Sequence, residues 1–251
     1  MDQQRLLAYL KQPVALRCHG QIDSTNREAK EWARGGGPVP AAVLADVQSA
    51  GRGRRGHSFF SPQGGLYLSL IVPSDGSAPG LLTTLAAVAV RRAVLENCGL
   101  PLSIKWVNDL LLDSRKVGGI LVEGVMLGEA LSRAVIGIGL NLVPADFPDD
   151  IAQTAGTLYR PGKTIDREQL AAAIINGLLA GLPRMPAHLQ EYSAHCITLG
   201  RTVRFEQNGK AMTGQARAVL EDGSLSVDTN QGVINLLAGE VSVRGPDGQY
   251  L

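Results

Sequence analysis

Gly51-Arg52-Gly53-Arg54-Arg55-Gly56, then Ser61-Pro62-Gln63-Gly64-Gly65, then Leu66-Tyr67-Leu68-Ser69-Leu70-Ile71-Val72, is the stretch that decides the fold class. The first six residues fit G-x-G-x-x-G, the pattern of dinucleotide-binding loops. That pattern works only with a strand before it and a helix directly after it, because the helix N-terminus holds the pyrophosphate. Ala41–Ala45 supplies the strand, but a turn and another strand follow the loop. A dinucleotide-binding fold is therefore excluded. A P-loop is excluded as well, since no Gly-Lys-Ser/Thr ends the loop. What remains is a cationic loop whose glycines can take up φ > 0 and approach a ligand closely. Arg52, Arg54 and Arg55 add planar, permanently charged forks suited to phosphate or carboxylate. Taken alone, the loop fits a solvated arginine turn or a nucleic-acid patch equally well.

The chain has 251 residues, room for one large domain or one with a small appendage. A formal net charge of +1 argues against a dedicated nucleic-acid binder, so the loop's charge is local and favours a site. Cys18, Cys98 and Cys196 are far apart, without a C-x-x-C, which fits a reducing cytosol and not a zinc module or disulfide frame. Met1–Arg5 lacks the apolar core of a signal peptide. No apolar run approaches the ~20 residues of a membrane span. The expectation is a soluble, cytoplasmic protein with no membrane or nucleic-acid partner.

Helices are expected at 2–11, from Thr25 to about Arg34, at 80–97 and at 167–182. Thr25 and Glu28 have the T-x-x-E spacing of a capping box, Gly35-Gly36-Gly37-Pro38 stops that helix, and Asp166 caps the last one. Strands are expected at 41–46, 66–72, 102–107, 118–125 and 134–140. Near His195 the texture changes to short alternating strands split by Asn208-Gly209, Asp222-Gly223 and Gln231-Gly232, the pattern of a small β-barrel. The division is placed at residues 1–192 and 193–251.

Three further runs carry chemistry. Lys105-Trp106-Val107-Asn108-Asp109 closes a strand with Lys, Asn and Asp together, and Lys116 stands just before Gly118-Gly119. Asn-Asp is ordinarily a turn; its functional reading is a magnesium or ribose contact. Asp23-Ser24-Thr25-Asn26 reads as a helix start whose hydroxyls could also meet a ligand's polar edge. Gly137 and Gly139 inside a strand mark close approach of a ligand or another backbone. The four histidines show no metal spacing, so no metal held by protein ligands alone is assigned.

In order and spacing, these segments resemble the biotin protein ligases. The matching runs are Ser24-Thr25-Asn26, Gln48 with Gly51–Gly56, Lys105-Trp106-x-Asn108-Asp109, Lys116-x-Gly118-Gly119-Ile120-Leu121-Val122-Glu123 and Gly137-x-Gly139-x-Asn141. Gly239-Glu240-x-Ser242-x-Arg244 looks like the family's terminal barrel, and the match spans roughly residues 20 to 245. The resemblance implies an α+β fold: a mixed β-sheet catalytic domain flanked by helices, of the class II synthetase-like, biotin–lipoate ligase type, plus a C-terminal SH3-like barrel. It implies activation of biotin with Mg-ATP to biotinyl-5′-AMP, then transfer to a lysine of a biotin carboxyl carrier domain. Oligomeric state varies in the family, which leaves a homodimer open.

The resemblance also implies roles. Ser24, Thr25, Asn26, Gln48, Gly51, Gly118 and Gly119 belong to the biotin pocket. Arg52 and Arg54 close over carboxylate and phosphate, Arg55 adds charge on the ATP side, and Lys116 is the key catalytic cation. Asn108 and Asp109 serve magnesium, ATP or the incoming lysine, three alternatives the sequence leaves open. Asn141, Glu240 and Arg244 border the nucleotide. His57, Phe59 and Val107 depart from a frequent arginine, tryptophan and proline. About twenty residues precede Ser24, too few for the winged helix-turn-helix of some members, so repressor function is not expected. The rival readings are a lipoate or octanoate ligase and a non-catalytic biotin or RNA binder.

Overall fold

The computed structural model describes residues 1–74, 76, 79–128, 130–207, 209–237 and 242–243. Glu240 and Arg244, and with them part of the expected terminal motif, lie outside the described residues.

Helix α1 (Gln3–Tyr9) starts at Asp2, whose carboxylate accepts the Gln4 and Arg5 backbone N–H groups. After β1 (Ala15–Ile22) come α2 (Thr25–Arg34), β2 (Ala41–Gln48), β3 (Leu66–Pro73) and α3 (Pro79–Cys98). The short β4 (Ser103–Lys105) and β5 (Asp109–Leu112) lead to the long hairpin β6 (Arg115–Leu127) and β7 (Ala130–Leu140). A turn of helix α4 (Asp149–Ala152) precedes α5 (Arg167–Gly181), which starts at Asp166 as expected, and α6 (Leu189–Ala194). Seven strands form a mixed sheet in the order β1-β2-β3-β7-β6-β5-β4, with β1 and β2 parallel and the rest antiparallel.

Because side chains alternate across a strand, each strand feeds two faces. Ala42, Leu44, Leu68, Leu70, Ile136, Ile138 and Leu140 point to the face covered by α3 and α5, the main core. Ala41, Val43, Ile71, Val125 and Val135 point the other way, into a small core beneath Ala29 and Ala33 of α2. Helix α2 covers only part of that second face. The uncovered part, toward the end of β2 and the start of β3, is where the loop between them folds back.

Three expectations need correction. The apolar run 102–107 is strand only over Ser103–Lys105, because Trp106-Val107-Asn108 turns the chain into β5. The T-x-x-E capping box does not form. Ser24 is the N-cap, Glu28 N–H bonds the Ser24 carbonyl at 3.1 Å, and the Glu28 side chain reaches Arg17 instead. The glycine-rich loop is not generally left-handed: Gly53 is extended at φ −107°, while Arg55 and Gly56 have φ of 52° and 82°. Strand β1 and the short β5 and α6 had no clear periodic signal.

The terminal strands are β8 (Thr202–Gln207), β9 (Lys210–Val219), β10 (Leu225–Thr229), β11 (Gly232–Leu236) and β12 (Ser242–Val243). Among the described residues they form one antiparallel sheet, ordered β11-β10-β9-β8-β12. Its β9–β10 turn meets α3, since a Cβ on Gly80 would lie 2.6 Å from the Asp222 carbonyl.

His188, beside α6, is buried with Nε2 2.8 Å from Thr84 Oγ1, and burial followed by the nearby Arg92 charge lowers its pKa from 6.5 to about 4. The unfolded chain therefore binds a proton here before the folded one does. The corresponding stability is full above pH 6.5 and is lost as pH falls toward about 4. His188→Gln should flatten the decline in unfolding free energy across that window, a term of at most about 3 kcal/mol. Urea titrations at stepped pH would show it, and an unchanged slope would exclude His188 as the source.

Candidate active site

On the face that α2 leaves open, successive rows of paired residues cross the sheet. One row runs Val43, Ser69, Gly137, Leu121, and the next runs Ala45, Tyr67, Gly139, Gly119. Three of the four positions contributed to these rows by β6 and β7 are glycine. A Cβ on Gly137 would sit 2.0 Å from Asn26 Oδ1, and one on Gly139 would sit 2.4 Å from the Phe59 ring. The intra-strand glycines thus admit two side chains onto bare backbone, rather than a second backbone. The resulting cavity holds about 280 Å³.

The start of α2 supplies its polar wall. Ser24, Thr25 and Asn26 are all buried, and the Ser24 hydroxyl has no partner within the protein. Gln48 Oε1 lies 2.8 Å from the Thr25 N–H and 3.0 Å from the Thr25 hydroxyl, while Gln48 Nε2 donates to Ser61 Oγ at 2.8 Å. The Asn26 amide is engaged internally: Nδ2 donates to Glu123 Oε2 at 2.9 Å and Oδ1 meets Ser69 Oγ at 2.6 Å. Burial pushes the Glu123 carboxyl up, but Lys30, Asn26 and Arg52 outweigh it and hold it below the ordinary range.

Cations occupy the opposite wall. Lys116 Nζ pairs with Asp109 Oδ1 at 2.6 Å, and Arg54 Nη1 donates to Asn108 Oδ1 at 3.0 Å. The arginine loop therefore reaches the Asn108-Asp109 turn, two segments more than fifty residues apart in sequence. The loop also closes on itself through a bridge between Arg52 and Ser58. Trp106 borders the same cavity, and its indole N–H donates to the Gly223 carbonyl at 3.1 Å, tying the terminal sheet to this wall.

Of the residues singled out in the sequence, Ser24, Thr25, Asn26, Gln48, Arg52, Arg54, Asn108, Asp109, Lys116 and Gly119 line one cavity. Four others do not. Gly118 falls on the core face of β6, against Leu140 and Leu110, because adjacent strand residues face opposite sides. Gly51 is packed against the Phe59 carbonyl and Ser61, and Arg55 is exposed. The Asn141 amide bonds the Gly156 carbonyl at 3.0 Å, holding a loop behind β6. Sequence reasoning passed over Ser69, Lys30 and Ser61. Ser69 did leave a signal, as the one aliphatic hydroxyl inside the apolar strand Leu66–Val72.

Residues 19–141 match the biotin/lipoate A/B protein ligase family, and residues 198–244 match the biotin protein ligase C terminal domain. A Paracoccus denitrificans protein named biotin–[acetyl-CoA-carboxylase] ligase is 33% identical over 92% of this chain and 95% of its own length. The chain belongs to the biotin protein ligase family. A Bacillus subtilis relative, bifunctional ligase/repressor BirA, is 31% identical over 90% of this chain and 73% of its own. Among solved structures, the biotin protein ligase from Aquifex aeolicus in complex with biotin and ATP superposes with a TM-score of 0.78. It is 28% identical and covers 92% of this chain and 98% of that one.

For a biotin protein ligase, the cavity's donor set bears on magnesium. Asp109 is the only carboxylate among the lining residues, and it is already paired with Lys116. No group of three His, Cys, Asp or Glu converges anywhere among the described residues. Such a set fits an ion brought by a nucleotide's phosphates, with Asp109 as at most one protein oxygen. No described helix is long and apolar enough to cross a membrane.

Gly137→Ala should displace Asn26 and collapse the floor, because the new methyl would lie 2.0 Å from Asn26 Oδ1 and that amide is held by Glu123 and Ser69. The expected cost is about 1–3 kcal/mol of stability, the range for overpacking, with loss of ligand binding. Chemical denaturation and calorimetric titration would measure both, and a fully stable, binding-competent variant would refute the packing argument.

Proposed function

We propose that this protein activates biotin with ATP, forming biotinyl-5′-AMP, and transfers the biotinyl group to a specific lysine of a biotin carboxyl carrier domain. The observation that carries this reading is the cavity's polarity: hydroxyls and amides at one wall, Lys116 and Arg54 at the other, over a glycine floor. The first wall suits a ureido ring, with Ser24 Oγ still lacking a partner. A lipoyl or octanoyl chain has no group that uses those donors and acceptors. The second wall suits two anions that repel each other.

In the first step a biotin carboxylate oxygen attacks the α-phosphorus, and the bond to the departing pyrophosphate breaks. At an effective dielectric near 20, a cation ~4 Å from a phosphate charge offsets about 4 kcal/mol of repulsion. Lys116, Arg54 and Arg52 would each supply such a contact, reduced by solvent at the exposed Arg52. Magnesium entering with ATP would neutralise further phosphate charge. In the second step a deprotonated lysine nitrogen attacks the anhydride carbonyl, the C–O bond breaks and AMP leaves. Closure of the arginine loop would keep water from the anhydride. Gly51–Gly56 and Phe59 would form that cover.

We assign the catalytic unit to residues 1–192 and an accessory unit to 193–251, in a cytoplasmic setting consistent with free Cys18, Cys98 and Cys196. The deciding experiment incubates the protein with labelled biotin, Mg-ATP and an acceptor domain. Label on the acceptor lysine and biotin-dependent pyrophosphate release are expected; release with lipoate and not biotin would overturn the reading. Lys116→Met should slow adenylation at least ~10²-fold, the scale of losing one preorganised charge contact. Near-normal single-turnover rates would remove Lys116 from the mechanism.

A further inference from the structure

Lys105 lines the cavity from β4, the last strand of the sheet on the side away from β1, and no step above uses it. It pairs directly with Asp109 across β4 and β5, and opposed residues of an antiparallel pair put their side chains on one face. Lys105 therefore shares a face with Asp109, the partner of Lys116. Its own situation differs. Lys116 is held by Asp109, Arg54 by Asn108 and Lys30 by Glu123. Lys105 is half-buried and makes no ion pair or side-chain hydrogen bond among the described residues. A cation drawn partly out of water without an acceptor is poorly compensated, and an anion entering the cavity would supply what the protein does not.

The order of strands says which anion. Across the sheet, Gln48 and Ser69 mark the polar wall on β2 and β3, Gly137, Gly139 and Gly119 form the floor on β7 and β6, and Lys116 and Asp109 follow on β6 and β5. Lys105 comes last, one strand spacing of about 4.8 Å beyond Asp109. In phosphoryl transfer the attacking and leaving oxygens lie roughly in line, on opposite sides of phosphorus. With the ureido ring at the polar wall and the carboxylate reaching toward Lys116, the leaving group departs away from that wall, toward β4.

We propose that Lys105 binds the departing pyrophosphate. The bond between the α-phosphorus and the bridging oxygen breaks, that oxygen leaves with the electron pair, and the Lys105 ammonium meets the charge gathering on the β-phosphate. No proton moves in the step. Lys105 is thus a catalytic residue of adenylation alone, whereas Lys116 and Arg54 face the phosphate that stays in the intermediate. The inference rests on the biotin reading above and deepens it by naming the group that receives the first product.

The test separates the two half-reactions in the whole chain. One arm follows biotinyl-5′-AMP formation from biotin and Mg-ATP in a single turnover, and its reversal by added inorganic pyrophosphate. The other supplies synthetic biotinyl-5′-AMP and an acceptor domain, with no pyrophosphate present. Lys105→Met should slow adenylation at least about tenfold and raise the half-saturating pyrophosphate concentration of the reverse reaction by a similar factor, the scale of one charge contact at a half-exposed site. Transfer from supplied biotinyl-5′-AMP should stay within about twofold of wild type, because the leaving group is already gone. Lys105→Arg keeps the charge and should recover most of the pyrophosphate affinity. An unchanged pyrophosphate half-saturation, or equal loss in both arms, would overturn the inference alone. A wild type that forms no biotinyl-5′-AMP would overturn the biotin reading, and this inference with it.

Discussion

Asn26 resting on the bare backbone of Gly137 is the contact on which the cavity depends. It lets the first turn of α2 lie directly on the sheet, which brings Thr25 within reach of both Ser69 and Gln48. It also leaves the neighbouring positions Gly139 and Gly119 open for the Phe59 ring. A side chain at any of these glycines would fill the space that a ligand needs. The hollow is therefore made by omission, on the one sheet face where helix cover is incomplete. The opposite face, packed by α3 and α5, supplies the rigidity such a gap requires.

Electrostatics follow the same economy of placement. Three cations around the cavity have protein acceptors: Lys116 at Asp109, Lys30 at Glu123, Arg54 at Asn108. Pairing keeps like charges apart and holds the side chains near the geometry that an anionic ligand would need. It also means that an entering phosphate competes with Asp109 for Lys116. Lys30 is different in kind: its partner Glu123 turns the Asn26 amide, so its charge acts on hydrogen-bond direction.

The terminal sheet takes part in this arrangement. The Trp106 N–H bonds the Thr198 hydroxyl at 2.9 Å, its indole bonds the Gly223 carbonyl, and Ile104 bridges to Cys196. Trp106 and Asn108 belong to the same turn, so the sheet formed by β8 to β12 braces the wall that carries Asn108 and Asp109. Loss of that brace would be felt at the cavity wall through Trp106.

Much of this was legible in the chain itself. A strand after the Gly51–Gly56 loop ruled out a dinucleotide fold, the Asp166 cap and the apolar runs located most elements, and the ordered motifs pointed to the family. Linear patterns carry such information because helix and strand periods, caps and turns are local. Tertiary structure alone decided which face each strand residue joins. That put Gly119 in the cavity and Gly118 in the core, and it turned Thr25 from a presumed helix cap into a partner of Gln48. It also joined Asn26 to Glu123 across 97 residues of chain. Period-two alternation shows that two faces exist but not which of them a helix covers. The partners of a buried amide are set by packing between distant segments, and no local spacing encodes that.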